Sequence, residues 1–109
     1  MHIQIINFHL KDMTEQEYEA LCDQVAPAFV TLPGLVSKVW LADPASNTFG
    51  GVYTWESREA MFAFTETELF KAVATHPNLD EITSRDFAVM EAQTALTRGL
   101  PVAAASVAV

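Results

Sequence analysis

The sequence is short of the residues from which many sites are built. Its one cysteine, Cys22, excludes an internal disulfide and any cysteine-based zinc site. Its three histidines, His2, His9 and His76, do not stand at metal-ligand spacing, and neither HxH nor HExxH occurs. There is no GxSxG, no GxxxxGK(S/T) and no strand-following GxGxxG, so serine-hydrolase, P-loop and Rossmann chemistries find no support. Basic residues are scarce as well: 6 Lys and Arg stand against 14 Asp and Glu, a formal net charge of −8. That balance argues against a phosphate backbone or an anionic membrane surface as partner, since both need a basic face. No apolar run approaches the ~20 residues of a membrane span, and the N-terminus lacks a basic segment leading into a long apolar one. The expectation is a soluble, cytoplasmic protein.

What is abundant is apolar surface: 50% of the 109 residues are hydrophobic. A single domain of this length buries about two thirds of its unfolded surface and needs no staple. Ile3 to Leu10 is β-branched and aromatic, apolar on both faces, and reads as a strand covered on both sides. Thr14-Glu15-Gln16-Glu17 is a capping box. Tyr18, Leu21, Cys22, Val25 and Phe29 follow it at helical spacing, with Pro27 expected to kink or restart the helix. Leu35 to Asp43 and Thr48 to Trp55 read as an antiparallel hairpin about the turn Pro44–Asn47. Gly50-Gly51 within the second of these strands suggests a bulge or a close approach to the backbone. Ser57 caps a second helix; at Thr65-Glu66-Thr67-Glu68 a second capping box restarts it in a new register, ending before Pro77. Asn78 to Glu81 reads as a loop and Ile82 to Glu91 as a fourth strand.

The order βαββαβ is the ferredoxin-like α+β pattern, with both helical segments on one face of a four-stranded sheet. The other face is expected to present residues such as Ile6, Phe8, Val36, Trp40, Val52, Phe87 and Val89. A patch of that extent predicts a homodimer packed sheet against sheet. The domain is read as residues 1–92, followed by an apolar tail, 93–109, that packs on the partner subunit or is disordered.

Candidate chemistry lies in polar and aromatic groups on apolar strands. Asn7 and His9 share one face of the first strand, where an unpaired buried polar group costs about 1–3 kcal/mol; each needs a strand neighbour, a water or a ligand. Tyr53 and Trp55 share a face with Gly51, an aromatic wall beside a gap that suits a flat ring, or ordinary core packing. Trp40 reads as a further wall or as ordinary core or dimer packing. Lys38 reads as a rim or dimer salt bridge, and Arg85 as the same or as a group orienting an anionic substrate. His76 is either a pH-active group over a pocket or a solvated loop residue, and Cys22 a small hydrophobe.

Pro33-Gly34-Leu35, Lys38-Val39-Trp40 and Gly50-Gly51-Val52-Tyr53 resemble the pattern of the YdhR-like monooxygenases. Those belong to the dimeric α+β barrel superfamily and are related to the antibiotic-biosynthesis monooxygenases. The resemblance runs from about Ile3 to about Glu91. It implies a ferredoxin-like homodimer with a pocket between sheet and helices, holding a small aromatic or polyketide-like ligand. It also implies a cofactor-independent oxygenase, without metal or flavin, in which a deprotonated phenolic or anthrone-like substrate reduces O₂ directly. The residues it implies are Asn7, Tyr53 and Arg85 as catalytic groups and Trp40 and Trp55 as substrate walls, to which position adds His9 and His76. Trp40 and Tyr53 lie inside the matching motifs; Asn7 and Arg85 match by strand position only. Two other functions suit the same pocket: a cofactor-free isomerase, cyclase or lyase, and a non-catalytic protein that binds a hydrophobic metabolite.

Overall fold

The computed structural model describes residues 1–100. Its elements are β1 (His2–Leu10), α1 (Glu15–Val30), β2 (Leu35–Asp43), β3 (Thr48–Trp55), α2 (Arg58–Thr65), α3 (Glu68–Ala74), β4 (Leu79–Ala88) and α4 (Glu91–Leu96). The strands form one antiparallel sheet in the order β2-β3-β1-β4, and the fold is the expected ferredoxin-like α+β arrangement. The domain boundary expected after residue 92 falls inside α4, and of the tail, residues 101–109 lie outside the described residues.

Local signals account for most helix ends. Thr14 accepts from the Glu17 amide while the Glu17 carboxylate accepts from the Thr14 amide, so the capping box of α1 is complete. Ser57 caps α2 through the Ala60 amide. The restart that follows is capped by Thr67, which accepts from the Phe70 amide, and not by Thr65 of the expected box. Thr65 is instead the last residue of α2, its hydroxyl bonded back to the Phe62 carbonyl. Pro27 does not restart α1, which runs on to Val30. Pro27 sits one turn from the helix end, where a missing amide interrupts little.

The fourth strand begins at Leu79 and ends at Ala88, three residues earlier at each end than expected. Leu79 pairs with Leu10 and Asp80 with His9, so the supposed loop is part of the ladder. Between Asn7 and His9 the pairing slips by one residue, with Glu81 at a φ of 51°; the extra residue is a bulge on β4. No slip occurs between β1 and β3 at the paired glycines. There the reason is close approach: a Cβ on Gly50, whose φ is 149°, would sit 1.8 Å from the Ile6 carbonyl oxygen.

All of the large buried side chains lie on the helix side of the sheet, among them Ile6, Phe8, Phe49, Tyr53 and Trp55, packed against Tyr18, Phe29, Met61 and Phe64. This corrects the expected composition of the uncovered face. Ile6 and Phe8 point into the core, and Trp40, level with Gly51 and two residues from Lys38, also lies on the helix side. The uncovered face carries Ile3 and Ile5 of β1, Val39 of β2, Val52 of β3, and Arg85 and Phe87 of β4. Val39 and Phe87 are 57% and 48% exposed there.

Candidate functional site: a lysine in an aromatic cleft

Between the sheet and helices α1 and α3 lies a chamber of about 130 Å³. Its walls include Tyr18, Phe29, Lys38, Trp40, Tyr53 and His76. It adjoins a wider cleft of about 320 Å³ between α1 and the β2–β3 hairpin, and the two share Tyr18, Cys22 and Trp40. The cleft carries Glu15, Glu19 and Asp23 at its rim. The chamber approaches the size of a cavity that holds one benzene ring. Together the two can take a ring inside and a larger body outside.

Hairpin geometry puts Lys38 there. The turn sets Asp43 opposite Thr48; counting outward through the antiparallel ladder brings Trp40 opposite Gly51 and Lys38 opposite Tyr53. Gly51 leaves the space that the lysine stem crosses, since a Cβ there would lie 2.9 Å from Lys38 Cε. The ammonium ends 3.3 Å from the Trp40 ring centroid, 3.5 Å from that of Phe29 and 4.8 Å from that of Tyr53. Phe29 meets Trp40 edge to face at 5.5 Å, which fixes the angle of this box. No carboxylate pairs with Lys38 among the described residues. The rim or dimer salt bridge expected of this residue is therefore replaced by cation–π contacts within the described chain.

Burial governs the protonation of the chamber. It lowers the Lys38 ammonium to about 7. The ring faces also favour the charged form and work against burial. Burial raises the Tyr18 and Tyr53 hydroxyls above their ordinary range, so both stay neutral phenols and hydrogen-bond donors. It raises the Cys22 thiol too, which keeps it an un-ionised, unreactive group. Of these four groups only Lys38 changes charge near neutrality.

The other expected site residues divide between two faces. Trp40, Tyr53 and His76 line the chamber. His76 Nδ1 accepts from the Asn78 amide at 3.1 Å, which fixes its ring in the turn after α3. Trp55 is fully buried behind Tyr53, its ring parallel at 6.0 Å, and its indole N–H donates to Gln4 Oε1 at 3.1 Å; it is core, not wall. Asn7, His9 and Arg85 are on the uncovered face and do not converge with Tyr53. Each has a local occupation there. Asn7 donates to the Phe49 carbonyl at 3.4 Å, and Arg85 lies over Phe87. His9 bonds the Asn47 carbonyl and pairs with Glu81 at the bulge. The residue that sequence reasoning missed is Lys38. The signal was a lysine two positions before a tryptophan on an otherwise apolar strand, with its partner fixed by the turn.

Fold and cleft define the class: a ferredoxin-like α+β protein with a chamber between its sheet and its helices. The chain belongs to the family described as "Putative mono-oxygenase ydhR", which matches residues 3–100. Its structure resembles that of the haem degrader MhuD of Mycobacterium tuberculosis, solved with two haems in its active site. There the identity is 22%, the match covers 83% of this chain and 96% of that one, and the TM-score is 0.66. It is similar also to SnoaB, a cofactor-independent oxygenase of Streptomyces nogalater (18% identity, 83% and 94% covered, TM-score 0.65). A "putative antibiotic biosynthesis monooxygenase" of Deinococcus radiodurans matches at 16% identity, with 84% and 94% covered and a TM-score of 0.69. The sequence matches no curated protein. At these identities the neighbours establish the fold.

Proposed function

We propose that this chain is a cofactor-independent monooxygenase acting on a small aromatic or polyketide-like compound and using O₂ directly. The observation that supports this best is the ring-sized chamber walled by Tyr18, Phe29, Trp40 and Tyr53, with ionisable Lys38 among them. The chemistry needs no bound oxidant other than O₂. A doubly activated ring methylene, once deprotonated, gives its electrons to O₂; one oxygen atom becomes the new carbonyl and the other leaves as water. The chain's part is to hold the ring, exclude water and stabilise the oxyanion in a low dielectric. Tyr53 and Tyr18 supply neutral donors for that task.

The partner we propose is a second copy of the chain, packed against the uncovered sheet face through Ile3, Ile5, Val39, Val52 and Phe87. An apolar face of this kind is a liability on a monomer. Light scattering at micromolar concentration gives twice the chain mass if this holds; a 12.0 kDa species removes it.

The decisive experiment is O₂ uptake by the purified protein with an anthrone, beside metal and flavin analysis of the same sample. Uptake with one product carbonyl per O₂, in protein free of metal and flavin, is the expected result. Turnover that persists under strict anaerobiosis would select the isomerase, cyclase or lyase reading. Tight binding of anthrones and dihydroxyaromatics with no product would select the binding protein.

A further inference from the structure

Lys38 is not an ordinary surface lysine whose position happens to be inside. Its stem crosses the one strand position where a side chain would obstruct it, and its amine ends against three rings with no acidic partner among the described residues. A charged amine held this way is paid no ion pair for its lost hydration. Such a group either sheds its proton or pairs with an anion that the described residues do not supply.

We propose that Lys38 is the base of this chamber: as the free amine it takes the phenolic or enolic proton of a bound aromatic acid, and the ammonium then stays paired with the oxyanion. The O–H bond of the ligand breaks, an N–H bond forms on Nζ, and no electron changes hands. The proposal rests on the reading of the chamber as an aromatic-ligand site, and it deepens that reading by naming the ligand class. The ligand is a planar ring carrying an acidic hydroxyl at its inner end and no negative charge at its outer end. The outer restriction comes from Glu15, Glu19 and Asp23, which rim the adjoining cleft.

The groups that face Lys38 suit this role. From α1 come Tyr18 and Cys22, both kept un-ionised by burial. From β3 comes Tyr53, likewise neutral. After α3 comes His76, whose Nδ1 is occupied by the Asn78 amide. The charged pair on α3, Lys71 and Glu68, is largely exposed and bonds within itself at 3.7 Å. No carboxylate pairs with Lys38 among the described residues, and Lys38 lies near 7, where the amine and ammonium interconvert. A lysine needs both properties to act as a base at neutral pH.

The test uses the full chain and 4-nitrophenol, whose phenolate absorbs in the visible and whose neutral form does not. Close to neutrality, where Lys38 is partly the free amine, the wild type is expected to bind the probe as the phenolate and to release no proton into a weakly buffered solution, because Nζ keeps it. Lys38→Met is expected to lose that band and to bind about tenfold more weakly, or less tightly still. Lys38→Gln repeats the measurement should the methionine variant fold poorly, and circular dichroism reports the fold of both. Carbon-detected NMR of the three lysines, with Lys38→Met for assignment, should show the Lys38 resonance titrating near 7. Equal binding of neutral phenol by wild type and both variants would overturn Lys38 as the base and leave the chamber reading standing. A Lys38 titration in the ordinary lysine range would overturn it too. Failure of the wild type to bind 4-nitrophenol or any anthrone would remove the chamber reading, and this proposal with it.

Discussion

The layer between sheet and helices has two ends, and they treat polar side chains in opposite ways. At the end beneath α2, Gln4 is 2% exposed and fully answered: it accepts from Trp55 Nε1 and donates to Ser84 Oγ, each at 3.1 Å. Beside it His2 Nε2 meets Asp86 Oδ2 at 2.6 Å. At the other end Lys38 meets three rings and, among the described residues, no acidic partner. Satisfied polar groups specify a structure, because each has one arrangement that meets its partners. An unsatisfied one at a cleft marks the place where a ligand completes the set. The comparison teaches that burial of a polar residue does not by itself indicate a site; Gln4 is fully buried and bonded, whereas Lys38 is half-buried at the cleft and meets ring faces with no acidic partner among the described residues.

Four substitutions break or sharpen that contrast, in order of expected effect. Trp55→Ala, at the answered end, should cost about 3–5 kcal/mol in urea unfolding, since it opens a large cavity and orphans Gln4. Gln4→Leu keeps the volume but strands the Trp55 indole N–H, and should cost about 1–3 kcal/mol by the same measurement. Lys38→Met, at the open end, should be neutral or mildly stabilising, by up to about 2 kcal/mol at pH 6, because it removes an unpaired charge from an apolar site. A large loss of stability there would mean that Lys38 is structural after all. Gly51→Ala should stay within about 1 kcal/mol, since the lysine stem yields before the backbone does. It should nevertheless shift the Lys38 titration seen by NMR.

The stability of the wild type should also carry the signature of the open end in its pH dependence. Lys38 is lowered to about 7 in the folded chain, so between that pH and the ordinary lysine range near 10.4 the unfolded chain binds more protons. Stability therefore rises with pH across that window, and the cost of the buried charge is complete below it. Tyr18 and Tyr53 act oppositely: both are raised, so stability falls as pH climbs past the ordinary tyrosine value near 10. Urea titrations should show a maximum near pH 10, and Lys38→Met should flatten the rising limb alone. An unchanged rising limb in that variant would assign it to another group.

Much of the fold was legible in the sequence because its signals are local. The capping box at Thr14, the cap at Ser57 and the hairpin from Leu35 to Trp55 involve residues a few positions apart. The start of β4 was not legible, since Leu79 and Asp80 are strand only through pairing with Leu10 and His9 about seventy residues away. The site was legible in part. Trp40, Tyr53 and His76 line one chamber; Asn7, His9 and Arg85 were grouped with them by strand position alone and lie across the sheet. Alternation along a strand tells which residues share a face, but not which face the helices cover when both are apolar, as in β1.

The chain's own sequence determined the element order, the helix caps and the hairpin register that sets Lys38 opposite Tyr53, because those follow from turn chemistry and short-range hydrogen bonds. Only the tertiary structure decided that α1 and α3 close over that pair, and so decided the charge behaviour of Lys38. A lysine on an open strand is a solvated cation. The same lysine roofed by Phe29 and walled by Trp40 and Tyr53 has lost much of its water, and desolvation is a property of everything packed around a group rather than of the group itself.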